Sequence, residues 1–233
     1  MTKVFNAYYY LSRKTEIMEQ YFDIHAQGWK PFLVQSYGHE FTKEILRVTR
    51  HRYEDFIPAI PYIGGDENSF THHLIRATTG LVLYKLMKAR GIKAQEVGKI
   101  IYNAVEESVR HLPLAPDHEL TQEFKSREIE LAKKSQERRY PDDWVFDYVE
   151  GDGVECDYGY DFIECAAQKL YHTHDADEFL PYFCYLDFAL DRTPGWGFTR
   201  TETLSEGYPR CNARYKKGGA TKKGWPPPFL APR

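Results

Sequence analysis

Three of the four cysteines of this 233-residue chain fall in one stretch, 165–211: Cys165, Cys184 and Cys211. Asp187 follows Cys184 by three residues, and residues i and i+3 of a helix share a face. If 179–190 is helical, a thiol and a carboxylate point together. A strand-like run, 198–204, then carries Arg200, Thr201 and Thr203. A turn at Gly207 leads to a second strand, 210–216, which carries Cys211. These residue types allow three readings. A thiolate beside a base or a positive charge is a nucleophile at neutral pH. Asp187 can orient or deprotonate a thiol or a water, and the planar fork of Arg200 suits a substrate carboxylate. Three thiols and a carboxylate could instead surround zinc. The spacings of 19 and 27 residues hold no Cys-x-x-Cys pair, so they are not those of a zinc knuckle, and no metal is assigned. Finally, free cysteine is commonly buried as a small apolar side chain.

The same residues carry a resemblance. The order Cys, then Cys-x-x-Asp, then Arg-Thr-x-Thr-x-x-x-Gly-x-x-x-Cys is similar to the C-terminal half of the L-2-amino-thiazoline-4-carboxylic acid hydrolase family. Cys165, Cys184, Asp187, Arg200, Thr201, Thr203, Gly207 and Cys211 fall on matching positions. A weaker echo lies at 73–91, with Leu83-Tyr84-Lys85-Leu86 ahead of Gly91. The resemblance implies an α+β fold and an enzyme, a hydrolase opening a 2-amino-thiazoline-like cyclic amidine that bears a carboxylate. The amidine-like carbon is electrophilic. Water, or first Cys184, attacks it, the ring thiolate leaves, and an N-carbamoyl amino acid results. In that scheme Asp187 accepts a proton or holds the amidine nitrogens, and Cys211 is the alternative nucleophile. Arg200 anchors the carboxylate, with Thr201, Thr203 and Cys165 on the substrate-binding side.

A second function class fits the same plan: a non-catalytic small-molecule-binding or sensor-like protein. A binder has no need of a poised thiol, so alkylation of the cysteines discriminates the two. No cofactor is called for. Gly151-Asp152-Gly153 and Gly195-Trp196-Gly197 lack the context of a phosphate loop, and there is no Gly-x-Ser-x-Gly elbow. His172, His174, Asp175 and Asp177 crowd one polar linker, where the ordinary reading is solvation. His72 and His73 are adjacent on a helix and point to different sides.

Composition narrows the partners. A net charge of −3 is too small to argue for nucleic acid or an anionic membrane. No apolar run has the length a bilayer needs. The first residues lack a basic-then-apolar signal pattern, and four cysteines without one fit reduced thiols in the cytoplasm. The expected partner is a small-molecule substrate. Self-association is left open, because Trp225, Phe229 and Leu230 can strap the tail onto this protomer or a second one.

The elements that must position these groups follow from periodicity and breakers. Helices are expected over 6–22 and 32–56, the latter with a stripe of Phe41, Ile45 and Val48. Pro58, Pro61, Gly64 and Gly65 interrupt them. The next helix, capped at Asn68 or Ser69, runs to Arg90 and stops at Gly91. Helices over 93–111, ended by Pro113 and Pro116, and over 117–139, highly charged, complete the first half. Past Pro141, 144–150 and 154–160 flank Gly151-Asp152-Gly153 as a hairpin. A helix over 161–172 carries Cys165, and a helix from Glu178 has Pro181 in its first turn, ended by Pro194, Gly195 and Gly197. The strand pair holding Arg200 and Cys211 follows. The expected fold is α+β: a helical region, 1–140, packed on a small, largely antiparallel sheet of two hairpins covered by helices, 141–217. A Pro/Gly/Lys tail, 218–233, cannot form a core element.

Overall fold

A single α turn, Lys14–Ile17, and a π turn, Met18–Asp23, run without interruption into α1, Ile24–Phe56. This computed structural model describes residues 8–110, 120–190, 196–222 and 224–230. Residues 6 and 7, His111, Pro113, Pro116, Asp117, Pro194 and Gly195 lie outside the described residues, as does the side chain of Phe229.

The gap expected between 22 and 32 is absent. Pro31 sits inside α1; it lacks an N–H, but Trp29 and Leu33, both buried, hold the helix on either side of it. The one non-helical residue in α1 is Gly38, with φ +80°, where the axis kinks. α2, Thr71–Lys88, buries the small run Ala77, Thr78, Thr79 and Gly80 against its neighbours, and Tyr171 Oη donates to the Ala77 carbonyl at 3.1 Å. α3, Ala94–Arg110, turns Val97, Ile100, Ile101 and Ala104 inward. α4, Gln122–Gln136, starts where Thr121 Oγ1 accepts the Phe124 N–H at 3.1 Å. It buries only Ala132, in keeping with its charged sequence.

β1, Val145–Glu150, and β2, Tyr158–Glu164, form the first hairpin; β3, Trp196–Thr199, and β4, Cys211–Lys217, form the second pair. They join in one antiparallel sheet of order β1-β2-β4-β3. Alternation along the strands puts Phe146, Tyr160, Phe162, Cys211, Tyr215 and Phe198 on one face. The opposite face is polar: Asp161 accepts from Arg210 and Arg214 at 2.8 and 2.7 Å. Both sheet edges are covered. Ser135 Oγ of α4 accepts the Phe146 N–H at 3.0 Å, and the Gln136 amide donates to the Phe146 carbonyl at 3.0 Å. On the other edge the Phe198 N–H goes to Thr221 Oγ1 at 2.8 Å. Side chains thus take up part of each edge's backbone row, the row that could otherwise pair with another strand.

Several boundaries differ from the sequence reading. The N-cap of α2 is Phe70, not Asn68 or Ser69, because Asn68 turns its side chain to the Ile63 carbonyl and Asp143. β2 starts at Tyr158 rather than 154, because Asp152 Oδ1 gathers the Val154, Glu155 and Cys156 amides into a longer turn. The chain over 161–164 is strand rather than helix, because Asp161 and Phe162 pair with Asn212 and Cys211 on one side and with β1 on the other. Cys165 therefore lies ahead of α5, Ala166–Thr173, as its N-cap residue. β3 ends at Thr199, short of the expected 204, because the amides of Thr201 and Glu202 both turn to Asn212 Oδ1, at 2.8 Å each. α6, Leu180–Leu190, packs along α3. One buried cluster runs from Tyr10 through α1, α2 and α3 to Trp144, Tyr171 and Ala189. The fold is α+β, a helical first half on a four-stranded antiparallel sheet. No helix among the described residues is long and apolar enough to cross a membrane.

Candidate active site

A cavity of about 320 Å³ opens where α6, the β3–β4 connection and the C-terminal tail meet. From α6 come Pro181, Cys184, Tyr185 and Phe188. Pro181, Cys184 and Phe188 are spaced i, i+3 and i+7, one face of a helix. The connection supplies Arg200, Thr201, Thr203, Ser205 and Glu206, and the tail supplies Pro228.

Arg200 organises this wall. Its Nη1 donates to Asp187 Oδ2 at 2.5 Å and its Nη2 to the Cys184 carbonyl at 2.5 Å. The guanidinium also lies over the rings of Phe188 and Phe198, at 5.5 and 5.6 Å. Burial, the largest single influence, works against its charge, but Asp187, Cys184 and Cys211 together outweigh it and raise its pKa. Its Nε is buried and has no hydrogen-bond partner. One helical turn, Cys184 to Asp187, thus clamps a cation brought from the neighbouring strand.

The thiols share one electrostatic neighbourhood: the Cys184 sulfur feels Arg200, Cys165, Cys211 and Asp187. Burial pushes Cys184 well up, against the pull of Arg200. Cys211 is pushed up to about 11 by burial, opposed by the Leu204 N–H that its sulfur accepts at 3.2 Å. Cys165 is also raised by burial, with the Gln168 and Ala167 amides and Trp144 opposing.

Of the residues singled out from the sequence, Cys184, Arg200, Thr201 and Thr203 border the cavity. Asp187 reaches it through Arg200, and Cys165 and Cys211 neighbour it without lining it. Thr201 Oγ1 accepts from Asn212 Nδ2 at 2.8 Å, which fixes it on the β4 side. Thr203 Oγ1 donates to Glu206 Oε2 at 2.8 Å and meets Ser205 Oγ at 2.9 Å. Glu206, Ser205 and Pro228 are residues the sequence reading missed. Pro181 and Phe188 were readable from helical spacing around Cys184; an acid in a polar turn before a glycine has no such signal.

The histidines stand elsewhere. His72 Nδ1 pairs with Tyr21 Oη. His73 packs against Phe70 and senses Asp187 through space, its pKa lowered by burial and by Arg76. His172 pairs with Asp177 at 3.0 Å and His174 lies on Phe56. Among the described residues no three His, Cys, Asp or Glu side chains gather as a metal site.

Comparison with known proteins gives one match: a family model, L-2-amino-thiazoline-4-carboxylic acid hydrolase, covers residues 72–215. That span includes every site residue singled out from the sequence and stops short of Pro228. No curated protein and no solved structure matches the chain.

Proposed function

The chain belongs to the L-2-amino-thiazoline-4-carboxylic acid hydrolase family, and on that premise we propose that it hydrolyses a small cyclic amidine bearing a carboxylate, such as a 2-amino-thiazoline-4-carboxylate. The observation that carries the reading is a cavity with one fixed cation and one fixed anion. Arg200, whose Nε–H is buried without a partner, and Glu206 both line it. A zwitterion with a carboxylate at one end and a protonated amidine at the other complements that pair. The volume, about 320 Å³, is at the small end of the roughly 300–1,000 Å³ that ligand sites span.

In this mechanism Arg200 takes the substrate carboxylate, and Asp187 holds Arg200 in place. A water adds to the amidine carbon and gives a proton to Glu206. The tetrahedral carbon collapses, its bond to the ring sulfur breaks, and the sulfur leaves as a thiolate that is then protonated. One water is consumed and one N-carbamoyl amino acid with a free thiol is formed. Burial keeps Cys184 protonated, so it stands beside the ring as a neutral thiol, with Thr201 and Thr203 as hydrogen-bonding neighbours. Attack by Cys184 itself is the covalent alternative. Cys211 and Cys165 carry no step.

The assay is direct: each ring opened releases one thiol, read with a chromogenic disulfide after the protein is removed. Wild type should release thiol from 2-amino-thiazoline-4-carboxylate. Glu206→Gln should lose on the order of 10²-fold in kcat, while Cys184→Ser should stay within about tenfold of wild type. Abolition by Cys184→Ser alone would assign the nucleophile to sulfur. No thiol above the blank from wild type would sink the hydrolase reading.

The raised pKa of all three thiols favours a second reading, a binding protein using the same cavity. Uniform, slow iodoacetamide labelling at neutral pH, with ligand-induced thermal stabilisation and no thiol release, would support it.

A further inference from the structure

The tail beyond the family match returns to the cavity. Residues 216–233 lie outside the matched span, and their glycines, prolines and lysines build no core of their own. One anchor nevertheless fixes the tail at Gly224 and Trp225. The Gly224 N–H donates to Tyr102 Oη at 3.0 Å, and the Gly224 carbonyl accepts from Tyr185 Oη at 2.9 Å. The Trp225 ring packs among Tyr102, Tyr182 and Tyr185, with centroids at 5.6, 6.0 and 6.5 Å. Tyr185 therefore holds the tail and lines the cavity at once. Three successive prolines follow, Pro226, Pro227 and Pro228. Each ring locks φ, so a tryptophan pinned at one end sets where Pro228 stands three residues later. Pro228 is the tail's contribution to the cavity wall.

We propose that segment 224–230, outside the family match, is a specificity-determining wall of the site, limiting the cavity to compact ring carboxylates. This rests on the cavity being the ligand site. A proline offers no N–H and no polar side chain, so the Pro228 ring acts on a ligand by occupying space. Its consequence is exclusion of bulk at a site whose recognition is done by Arg200 and Glu206. The class admitted is a five- or six-membered ring bearing a carboxylate and no large substituent.

The test compares 2-amino-thiazoline-4-carboxylate with its N-benzyl homologue, by calorimetric binding and by kcat/KM, on full-length protein. Wild type should prefer the parent by about tenfold or more, the scale on which apolar pockets reject extra bulk. Pro228→Gly, which leaves the Trp225 anchor intact, should shrink that preference by roughly three- to tenfold through better binding of the homologue. Trp225→Ala, which frees the strap, should do the same without touching the cavity directly. Unchanged discrimination in both variants, with melting temperatures equal to wild type, overturns the wall alone. Failure of wild type to bind either ligand or release thiol overturns the wall together with the reading beneath it.

Discussion

Arg200 has been withdrawn from water while its partner has not: the Arg200 side chain is 7% exposed and that of Asp187 is 52% exposed. The attraction is therefore partly screened and contributes modestly in itself. Removing the acid has a different cost, because it leaves a buried guanidinium without its countercharge. Asp187→Asn should destabilise the fold by roughly 1–2 kcal/mol, less than for a fully buried pair, read as a lowered urea midpoint. If Asp187 positions Arg200, KM for a ring carboxylate should rise several-fold with kcat little changed. A kcat loss of more than about 10²-fold at constant KM would instead make Asp187 the general base. That Cys184 and Asp187 lie within one helical turn was legible in the sequence, because the spacing and apolar run make that stretch a helix. The binding of Asp187 to Arg200 was not, since it depends on a hairpin brought in from thirteen residues away. Glu206 was invisible for another reason: only the cavity distinguishes it from any solvated acid.

At the level of elements, the cavity depends on how closely α6 approaches α3. Gly98 permits that approach. A Cβ placed there would lie 2.7 Å from the Tyr182 Cβ and 2.9 Å from its Cγ, so the helices must separate to admit it. Gly98→Ala should cost about 1–3 kcal/mol, the scale of overpacking, despite alanine's better helix propensity. Gly28, inside α1, is the control. Its added Cβ would meet only the Ala104 Cβ at 3.7 Å, an ordinary contact, and Gly28→Ala should stabilise by roughly 0.5–1 kcal/mol. Denaturant midpoints of the two variants check both signs; a neutral Gly98→Ala would mean that α6 shifts freely. Because Tyr182 also packs on Trp225, the shift should loosen the tail as well. Periodicity identified α2, α3 and α6 because each carries a full apolar face. It left 23–31 out of the first long helix, because the burial of Trp29 and Leu33 that holds this stretch, Pro31 included, is a tertiary fact. It ended β2 too early for a similar reason: the 161–164 run is a strand by virtue of partners on both sides, not of its own pattern.

For the whole molecule, the α+β order was readable from a helical half followed by alternating aromatic strands, whereas the tail's composition said only that it builds no core. Stability against pH is a property of the whole chain, to which His25 and Asp143 contribute in opposite directions. His25, beside Thr79 Oγ1 and facing Arg76, has its pKa lowered to about 4 by burial and then by Arg76. Between about 6.5 and 4 the unfolded chain takes a proton there that the folded chain refuses, so this term loses stability as pH falls. Asp143 accepts from Asn68 and the Trp144 N–H and lies near Lys169, yet burial raises its pKa to about 6. Between about 6 and 3.8 the folded chain keeps a proton that the unfolded chain gives up, so this term gains stability as pH falls. In their common window the two nearly cancel. His25→Gln removes the first and leaves the second. Relative to wild type, the variant should then gain roughly 1 kcal/mol for each pH unit lowered from 6 to 4. Carboxylates held below their ordinary range, such as Glu164 by Lys169 and Asp157 by the Lys217 N–H, contribute equally to both proteins and drop out of the difference. Urea unfolding of both at pH 6.5, 5.5 and 4.5 measures it: midpoints that diverge as pH falls support two opposed buried groups, and parallel midpoints would mean that His25 takes its proton in the folded chain as readily as in the unfolded one.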